Sequence, residues 1–382
     1  MKTLLKNGWV YDIRTDRFDK LNILFDKRIL KISASDISDP HENEIDAEGL
    51  FVMPGLVDVH THGCAGADFI GASAGGLERM SRFYLNHGVT SVMATLASAE
   101  VDTWISSINA IQGTKAPIWK GIHLEGRYLN PAKRGAHAEE LLGPLDPEEL
   151  QGILRSVHGA RHVTAALELD PDQQFLKAAL AEGATVSLGH TMADYQTAEQ
   201  AFRNGASAAT HLFNAMPSIH HRAGGAVVAA LLSDAYCELI ADGLHIAPEV
   251  IRMVYRLKGD KTVLITDSME GTGCADGIYQ IAGEKVLLSH GEARTENGAL
   301  AGSTLTLDRA VSNFMAMTGC SFGKAWMAAS YAPAREIGLE QEIGSIKEGL
   351  LADIDLVSES TRTFEIIKTY QEGIDSGLMN AR

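Results

Sequence analysis

Two histidines, His60 and His62, close an apolar run in the segment LFVMPGLVDVHTHG, a pattern typical of a buried strand. Side chains alternate along a strand, so the two imidazoles share one face while Thr61 points to the other. Burying two imidazoles costs free energy unless a partner replaces the water that they lose. The pair is therefore better explained as two metal ligands than as two unrelated core histidines.

Further histidines and carboxylates stand at the ends of other short apolar runs. They are Glu125, His190, His211, His245 and Asp267. Any one of them alone fits an ordinary core or surface residue, and Asp267 also suits the cap of a following turn. Glu125 is different, because a carboxylate in a buried strand is costly without a partner. Nitrogen and oxygen donors of this kind indicate a divalent metal site, with zinc as the leading candidate.

The elements that must position these residues alternate between strand and helix patterns along the middle of the chain. The eight strand candidates are GLVDVHTH, GVTSVMATL, IWKGIHLEG, HVTAALEL, ATVSLGH, ASAATHLF, YCELIADGLH and TVLITDSM. Eight alternations favour an α/β fold with a (β/α)8 TIM-type barrel over an open, doubly wound parallel sheet. In such a barrel the active site lies at the carboxyl ends of the strands, so residues far apart in sequence meet there.

The two ends of the chain show a different pattern of short strands and polar turns. We predict that residues 1–50 and 341–382 form one discontinuous, small β-sandwich domain beside a catalytic barrel of residues 51–340. The segment after residue 302 predicts two helices before the closing strands. A chain of 382 residues is long enough for both units.

The charge of the chain limits its partners. A formal net charge of −16 argues against nucleic acid and against an anionic membrane, because both need a basic surface. A small anionic substrate requires only a local basic pocket, for which the segment SIHHRAGG is a candidate. Arg222 in that segment has the planar fork that suits phosphate, although the loop is equally explained as a solvated turn.

The cysteines and the amino-terminal segment bear on the compartment. The four cysteines lie far apart without a CxxC spacing, so they indicate neither a disulfide framework nor a thiolate metal site. The segment MKTLLKNGWVYDIR reaches polar and charged residues before any apolar stretch long enough for a signal peptide or a membrane span. These features predict a cytoplasmic protein.

A series of motifs runs along nearly the whole chain. In order they are PGLVDVHTHG, GIHLEG, SLGHT, ATHLFNAM, HHR, IADGLH, LITDSM, LAGSTL and GSIKEGLLADIDLV. This series resembles the N-acetylglucosamine-6-phosphate deacetylases of the amidohydrolase superfamily. The resemblance implies that Glu125, His190 and His211 hold one divalent cation. It also implies that His60 and His62 can hold a second, with Glu125 as a bridge, so one or two cations per subunit are expected.

The resemblance further implies hydrolysis of the acetamide of N-acetylglucosamine 6-phosphate to glucosamine 6-phosphate and acetate. Asp267 matches the catalytic aspartate, which would take a proton from water and deliver it to the amine. The matches to substrate contacts are Ala136, His137, Asn214, Ala215, Arg222, His245, Leu300, Ala301 and Gly302. Such enzymes commonly form dimers, so we expect a homodimer in which Arg222 reaches the neighbouring site.

Two residues depart from the pattern of this family. Arg127 stands in HLEGRYLN where relatives usually have proline, and Leu167 stands where they generally have proline before a glutamate. A cation at Arg127, close to the metal ligands, is expected to contact the substrate or to weaken metal binding.

The alternative functions are deacetylation of N-acetylgalactosamine 6-phosphate and the reaction of another N-acyl amidohydrolase. A barrel without catalysis is disfavoured, because a scaffold has no reason to keep every ligand.

Overall fold

The computed structural model describes residues 1–360 and 363–377, and eight parallel strands in it form a barrel. The strands are β1 (Leu56–Thr61), β2 (Val89–Leu96), β3 (Trp119–Glu125), β4 (Ala160–Ala165), β5 (Thr185–Leu188), β6 (Ala208–Ala209), β7 (Tyr236–Ile240) and β8 (Thr262–Ile265). The backbone N–H of Asp267 donates to the carbonyl of His60 at 2.9 Å, which joins the end of β8 to β1. The predicted (β/α)8 barrel is confirmed, and seven strands lie within their candidates, while β4 begins two residues before HVTAALEL.

A helix follows each barrel strand and buries its apolar face against the outside of the barrel. These helices are Ala74–Asn86, Val101–Gly113, Pro147–Arg155, Gln174–Ala181, Tyr195–Arg203, Gly225–Leu232, Pro248–Lys258 and Leu307–Thr318. Side chains cap the amino-terminal ends of three of these helices. Asp146, for example, accepts hydrogen bonds from the backbone N–H groups of Glu148 and Glu149, and Pro147 takes the first helical position.

The region after residue 318 differs in one detail from the prediction of two helices. The second predicted helix is divided into Phe322–Met327 and Tyr331–Glu336. Pro333 explains the division, because proline lacks an N–H group and is tolerated in the first turn of a helix but not in its interior. Short 3-10 turns complete the helical elements at Pro131–Lys133, Glu139–Leu141, Leu167–Leu169 and Gly259–Lys261.

A second, mostly antiparallel sheet joins the two ends of the chain. Its strands are Thr3–Asp12, Arg17–Phe25, Ile29–Ser33, Asn43–Asp46, Phe51–Pro54, Ile354–Ser360, Thr363–Gln371 and Ile374–Asp375. They enclose a hydrophobic core of their own, which includes Leu5, Ile23 and Phe25. Phe51–Pro54 pairs with Ile354–Ser360 in this sheet, so we propose a domain boundary after Pro54 rather than at residue 50. Residues 361, 362 and 378–382 of the predicted carboxyl-terminal segment lie outside the described residues.

An antiparallel ribbon between β8 and the helix Leu307–Thr318 was not predicted from the sequence. Its strands are Gly277–Ile281, Glu284–Ser289 and Glu292–Thr295. Ile281 and Ala282, at one turn of this ribbon, face the cavity at the carboxyl ends of the barrel strands. A two-strand hairpin, Gly63–Cys64 with Ala67–Asp68, follows β1 at the same end.

Among the described residues, no helix combines the length and the apolar composition that a membrane span requires.

A buried carboxyl group in the second sheet leads to a prediction about stability. Asp355 is fully buried, accepts a hydrogen bond from Thr369 at 2.7 Å through Oδ1, and has no hydrogen-bond partner among the described residues at Oδ2. Burial therefore raises the pKa of Asp355 well above its ordinary value of 3.8. Between 3.8 and this raised pKa the folded state binds more protons than the unfolded state, so stability falls as the pH rises.

We expect Asp355→Asn to remove this contribution. The wild type should lose about 1.4 kcal/mol of unfolding free energy per pH unit more than the variant while the group titrates. Urea unfolding of both proteins between about pH 5 and pH 8 measures the difference. Equal pH slopes for the two proteins would show that Asp355 is ionised in the folded state.

Candidate metal centre and active site

Six predicted site residues meet at the carboxyl ends of the barrel strands. They are His60 in β1, His62 directly after it, Glu125 at the end of β3, His190 after β5, His211 after β6 and Asp267 after β8. All six side chains are buried. Residues as far apart in the sequence as His60 and Asp267 thus form one cluster, as the barrel geometry predicts.

Glu125 lies at the centre of this cluster, between two pairs of histidines. Its Oε1 atom lies 3.2 Å from Nε2 of His190 and 2.9 Å from Nε2 of His211. Its Oε2 atom lies 3.3 Å from Nε2 of His60 and 2.9 Å from Nε2 of His62. One carboxylate therefore faces two separate pairs of imidazole nitrogens, which is the arrangement of a bridging ligand.

The pair formed by His190 and His211 fits a single cation. Their Nε2 atoms lie 3.0 Å apart. The ligands of a tetrahedral zinc ion at 2.0–2.1 Å lie about 3.3 Å from one another, which is close to this spacing. Nδ1 of His190 donates to the carbonyl of Lys133 at 2.8 Å, so its Nε2 carries the lone pair. A cation is the partner that suits such a nitrogen beside a carboxylate.

The pair formed by His60 and His62 fits a second cation. Nδ1 of His60 donates to a carboxylate oxygen of Glu238 at 3.0 Å, while its buried Nε2 has no hydrogen-bond partner among the described residues. Oδ1 of Asp267 lies 3.3 Å from Nε2 of His62 and 3.6 Å from Nε2 of His60. Two imidazole nitrogens and two carboxylate oxygens thus surround one point, so the donor set has the capacity for two cations.

The charges in the cluster keep its acids ionised. Burial acts to raise the pKa of Glu125, but His60, His190 and His211 outweigh it and hold that pKa well below its ordinary value. Burial likewise acts to raise the pKa of Asp267, and His60 and His62 hold it below 3.8. At neutral pH both carboxylates are therefore anionic, as a ligand and a proton acceptor must be.

The backbone is strained at several of these positions. His190, His211 and Asp267 have φ angles of 48°, 29° and 49°, in the left-handed region that residues with a Cβ rarely adopt. Such conformations cost on the order of 1–3 kcal/mol each and cluster at functional sites, where the surroundings hold them. These strained conformations lower the stability of the fold, and they direct the three side chains toward one point.

A cavity of about 300 Å³ opens above the cluster. Eight of the nine predicted substrate contacts line it: Ala136, His137, Asn214, Ala215, His245, Leu300, Ala301 and Gly302. Arg222 does not line it, and lies on an exposed loop where its guanidinium contacts His221. Among the described residues that line the cavity there is no Lys or Arg. The chain therefore supplies its cavity with histidines, backbone groups and an amide rather than with a permanent cation.

Two histidines of the cavity have defined hydrogen-bond roles. The backbone N–H of Ser98 can only donate, and it lies 3.3 Å from Nδ1 of His137, which therefore accepts. The hydrogen of the neutral His137 ring is accordingly on Nε2, 3.8 Å from Oε2 of Glu125, so this ring presents a donor to the cavity. His245 is held through Nδ1 by Asp242 at 2.6 Å, which fixes the orientation of its ring.

The structure corrects the expectation for Arg127. Its guanidinium pairs with Glu149 at 3.3 Å and lies 3.8 Å from Glu100, and it does not line the cavity. Contact with the substrate or with the metal ligands is therefore excluded for this conformation. The φ angle of Arg127 is 49°, which proline cannot adopt, so the backbone itself requires a residue other than proline here.

Sequence reasoning missed the partners that orient the ligands. Glu238 holds His60, Asp242 holds His245, and the carbonyl of Lys133 holds His190. The sequence does contain a signal for Glu238, because a carboxylate in the middle of the apolar strand YCELI needs a buried partner. His123, two residues before Glu125, lies between hydroxyl groups of Thr95 and Thr164 and is not a ligand.

Comparison with known proteins agrees with this geometry. The model of the amidohydrolase family matches residues 51–374. An N-acetylglucosamine-6-phosphate deacetylase of Vibrio furnissii is 35% identical over 87% of this chain and 84% of its own length. An N-acetylgalactosamine-6-phosphate deacetylase of Escherichia coli O157:H7 is 35% identical over 81% of this chain and 84% of its own length.

A solved structure of similar fold covers almost the whole chain. It is a variant of the N-acetyl-D-glucosamine-6-phosphate deacetylase of Mycobacterium smegmatis in complex with N-acetyl-D-glucosamine-6-phosphate. It has a TM-score of 0.88 and 28% identity, over 98% of this chain and 99% of that chain. This chain therefore belongs to the amidohydrolase family and, within it, to the group that contains the N-acetylglucosamine-6-phosphate deacetylases.

Proposed function

We propose that this protein hydrolyses the acetamide of N-acetylglucosamine 6-phosphate to glucosamine 6-phosphate and acetate. The observation that carries the proposal is the Glu125 carboxylate between two histidine pairs at the base of the cavity. The names of the similar proteins support the same reaction. Asp267 lies beside His62, and its ionised carboxylate can accept a proton.

The cation of this site is proposed to be zinc, with one or two ions per subunit. His190, His211 and Glu125 would hold the first ion, and His60, His62 and Glu125 the second, with Asp267 beside the second pair. Imidazole nitrogens with carboxylate oxygens are a donor set that suits zinc. When bound, a divalent cation polarises the acetamide carbonyl and lowers the pKa of water so that it attacks at neutral pH.

Asp267 is proposed to carry the proton through the reaction. Its carboxylate accepts a proton from the attacking water as the new C–O bond forms. The same group then donates that proton to the nitrogen as the C–N bond breaks, which releases acetate and the free amine. An aspartate with a lowered pKa is anionic at the start of each cycle, as this sequence of steps requires.

The remaining cavity residues are proposed to bind and orient the sugar. His137 offers the hydrogen on its Nε2 to an oxygen of the substrate, and its Nδ1 is fixed by Ser98. His245 is held by Asp242 so that its other ring nitrogen is directed away from that carboxylate. Asn214 and the segment Leu300–Gly302 supply amide and backbone groups along the wall.

The phosphate group is proposed to be bound with the help of a second copy of the chain. The described cavity residues include no Lys or Arg, whereas a phosphate is normally met by such groups. Arg222 is exposed on a loop with His220 and His221, where a neighbouring subunit can reach it. We therefore propose a homodimer in which Arg222 of one copy contacts the substrate of the other.

We place the reaction in the cytoplasm, without a nucleic-acid or membrane partner. A protein with a net charge of −16 is repelled by nucleic acid and by anionic membranes, which supports this part of the proposal. All four cysteines are free, which suits a reducing compartment.

A second candidate is deacetylation of N-acetylgalactosamine 6-phosphate. The Escherichia coli relative with that printed name is as similar to this chain as the Vibrio furnissii relative. The two substrates differ only in the orientation of one hydroxyl group, and both place the same acetamide and phosphate in the site. The metal chemistry and the role of Asp267 are the same for both.

A panel of acetylated compounds tests the proposal. Acetate release is measured with N-acetylglucosamine 6-phosphate, N-acetylgalactosamine 6-phosphate, unphosphorylated N-acetylglucosamine and an N-acetyl amino acid. We expect the highest kcat/KM with the first compound and a loss of at least about tenfold without the phosphate, the equivalent of about 1.4 kcal/mol. Preference for the galactose epimer would select the second candidate, and turnover of the amino acid alone would overturn both.

A further inference from the structure

One buried carboxylate lies directly beneath the metal centre and has no place in the reaction steps. Glu238 is in the middle of β7, and none of its surface is exposed to solvent. Its Oε2 atom accepts a hydrogen bond from Nδ1 of His60 at 3.0 Å. The same atom accepts a second hydrogen bond from the backbone N–H of His211 at 3.1 Å. A single oxygen therefore contacts one residue from each of the two histidine pairs.

We propose that Glu238 is a positioning residue that fixes His60 as a ligand and holds the two histidine pairs in register. The inference rests on the metal centre of the proposed function. A carboxylate that accepts from Nδ1 places the hydrogen there and leaves the lone pair on Nε2, the atom that faces Glu125 at 3.3 Å. The contact with the backbone of His211 ties the strained end of β6 to the same oxygen.

The other buried polar groups that the structure describes around Glu238 make no hydrogen bond to its second carboxylate oxygen. Oε1 of Glu238 lies 3.6 Å from Nε2 of His162, and both atoms are buried without a hydrogen-bond partner among the described residues. Glu336 lies nearby, within 4.8 Å between ligand atoms, and is equally buried. A charged carboxylate is costly in this interior unless it makes a specific contact, and burial together with Glu238 raises the pKa of Glu336 well above its ordinary value of 4.5, which favours its neutral form. The contacts that Glu238 makes through Oε2 are those to the two ligand residues.

Glu336 provides a matched control for this proposal. It has the same residue type and a similar burial, and it lies beside Glu238 in the barrel interior. No hydrogen bond links its carboxylate to His60 or His211 among the described residues. Replacing either glutamate by methionine removes a buried acid with a small change in volume. Only the change at residue 238 removes an acceptor from a ligand.

Cation affinity provides a test that does not depend on turnover. The affinity of each variant for Co²⁺ is measured by competition with a coloured chelator, and the visible absorption of bound Co²⁺ reports the ligand geometry. We expect Glu238→Met to weaken binding by about 10- to 100-fold and to change the Co²⁺ spectrum. Glu238→Gln keeps an acceptor oxygen but loses the charge, so its Co²⁺ affinity should lie between that of the wild type and that of Glu238→Met. Glu336→Met should stay within about twofold of the wild type.

Two results would overturn the inference. One is a Glu238→Met protein with the affinity and the spectrum of the wild type, and the other is an equal loss in Glu336→Met. If Glu238→Met does not fold, Glu238→Gln decides alone, and wild-type affinity with an unchanged spectrum then refutes the role. A wild type that binds Co²⁺ at this site but releases no acetate from any acetylated sugar would refute the proposed function and leave the role of Glu238 standing.

Discussion

Asp267→Asn is expected to reduce kcat for acetate release by about 100- to 10,000-fold, the range typical of a lost general acid–base group. Asparagine keeps the size and one oxygen of Asp267, so the contact of 3.3 Å to His62 has a counterpart in the variant. The amide cannot take a proton from water or return it to the amine at neutral pH. Cation content should therefore stay close to that of the wild type while turnover is lost.

Steady-state acetate release together with metal analysis measures both parts of this expectation. Asp308→Asn is a suitable control, because Asp308 pairs with His87 at 3.1 Å outside the cavity. That variant should keep wild-type turnover. Near-normal kcat in Asp267→Asn would refute the acid–base role. Loss of the cation along with turnover would assign Asp267 to metal binding instead.

Glu125→Gln is expected to lower acetate release by more than about 1,000-fold, because both the cation chemistry and the proton transfer need a loaded site. The carboxylate of Glu125 presents one oxygen to each histidine pair. Glutamine has a single oxygen, so its NH₂ group must face one of the pairs, and an NH₂ group has no lone pair for a cation. The variant should therefore bind fewer cations per chain than the wild type.

The measurement pairs metal content after gel filtration with acetate release at saturating substrate. Glu149→Gln changes a glutamate that contacts Arg127 and Tyr128 outside the cavity, and it should retain both properties. A Glu125→Gln protein with a full complement of cations and normal turnover would show that Glu125 does not bridge the two pairs.

The barrel and the meeting of the candidate site residues could be predicted because both depend on simple periodic patterns. Eight apolar runs with polar residues at their ends predict strands whose carboxyl ends meet, and the fold brings His60, Glu125 and His190 together there. Strand alternation also predicts correctly that His60 and His62 share a face. These inferences need only residue types and spacing, which a sequence contains in full.

Other features depend on the assembled backbone and could not be read in this way. The left-handed conformations of His190, His211 and Asp267 could not be located from the sequence, because His and Asp, although enriched at positive φ, adopt it at only a minority of their positions. The direction of Arg127 depends on where the helix Pro147–Arg155 brings Glu149. Its proximity to the ligands along the chain suggested a contact that the three-dimensional path of the backbone does not allow.

Acetate release from N-acetylglucosamine 6-phosphate should require a cation held by Glu125 and its histidines. This requirement is examined by removing bound metal with a chelator, returning Zn²⁺ in known ratios and recording acetate release at each ratio. We expect no acetate release from the metal-free protein and a rise that ends at one or two Zn²⁺ per chain. Full turnover by protein shown to be free of metal would contradict it.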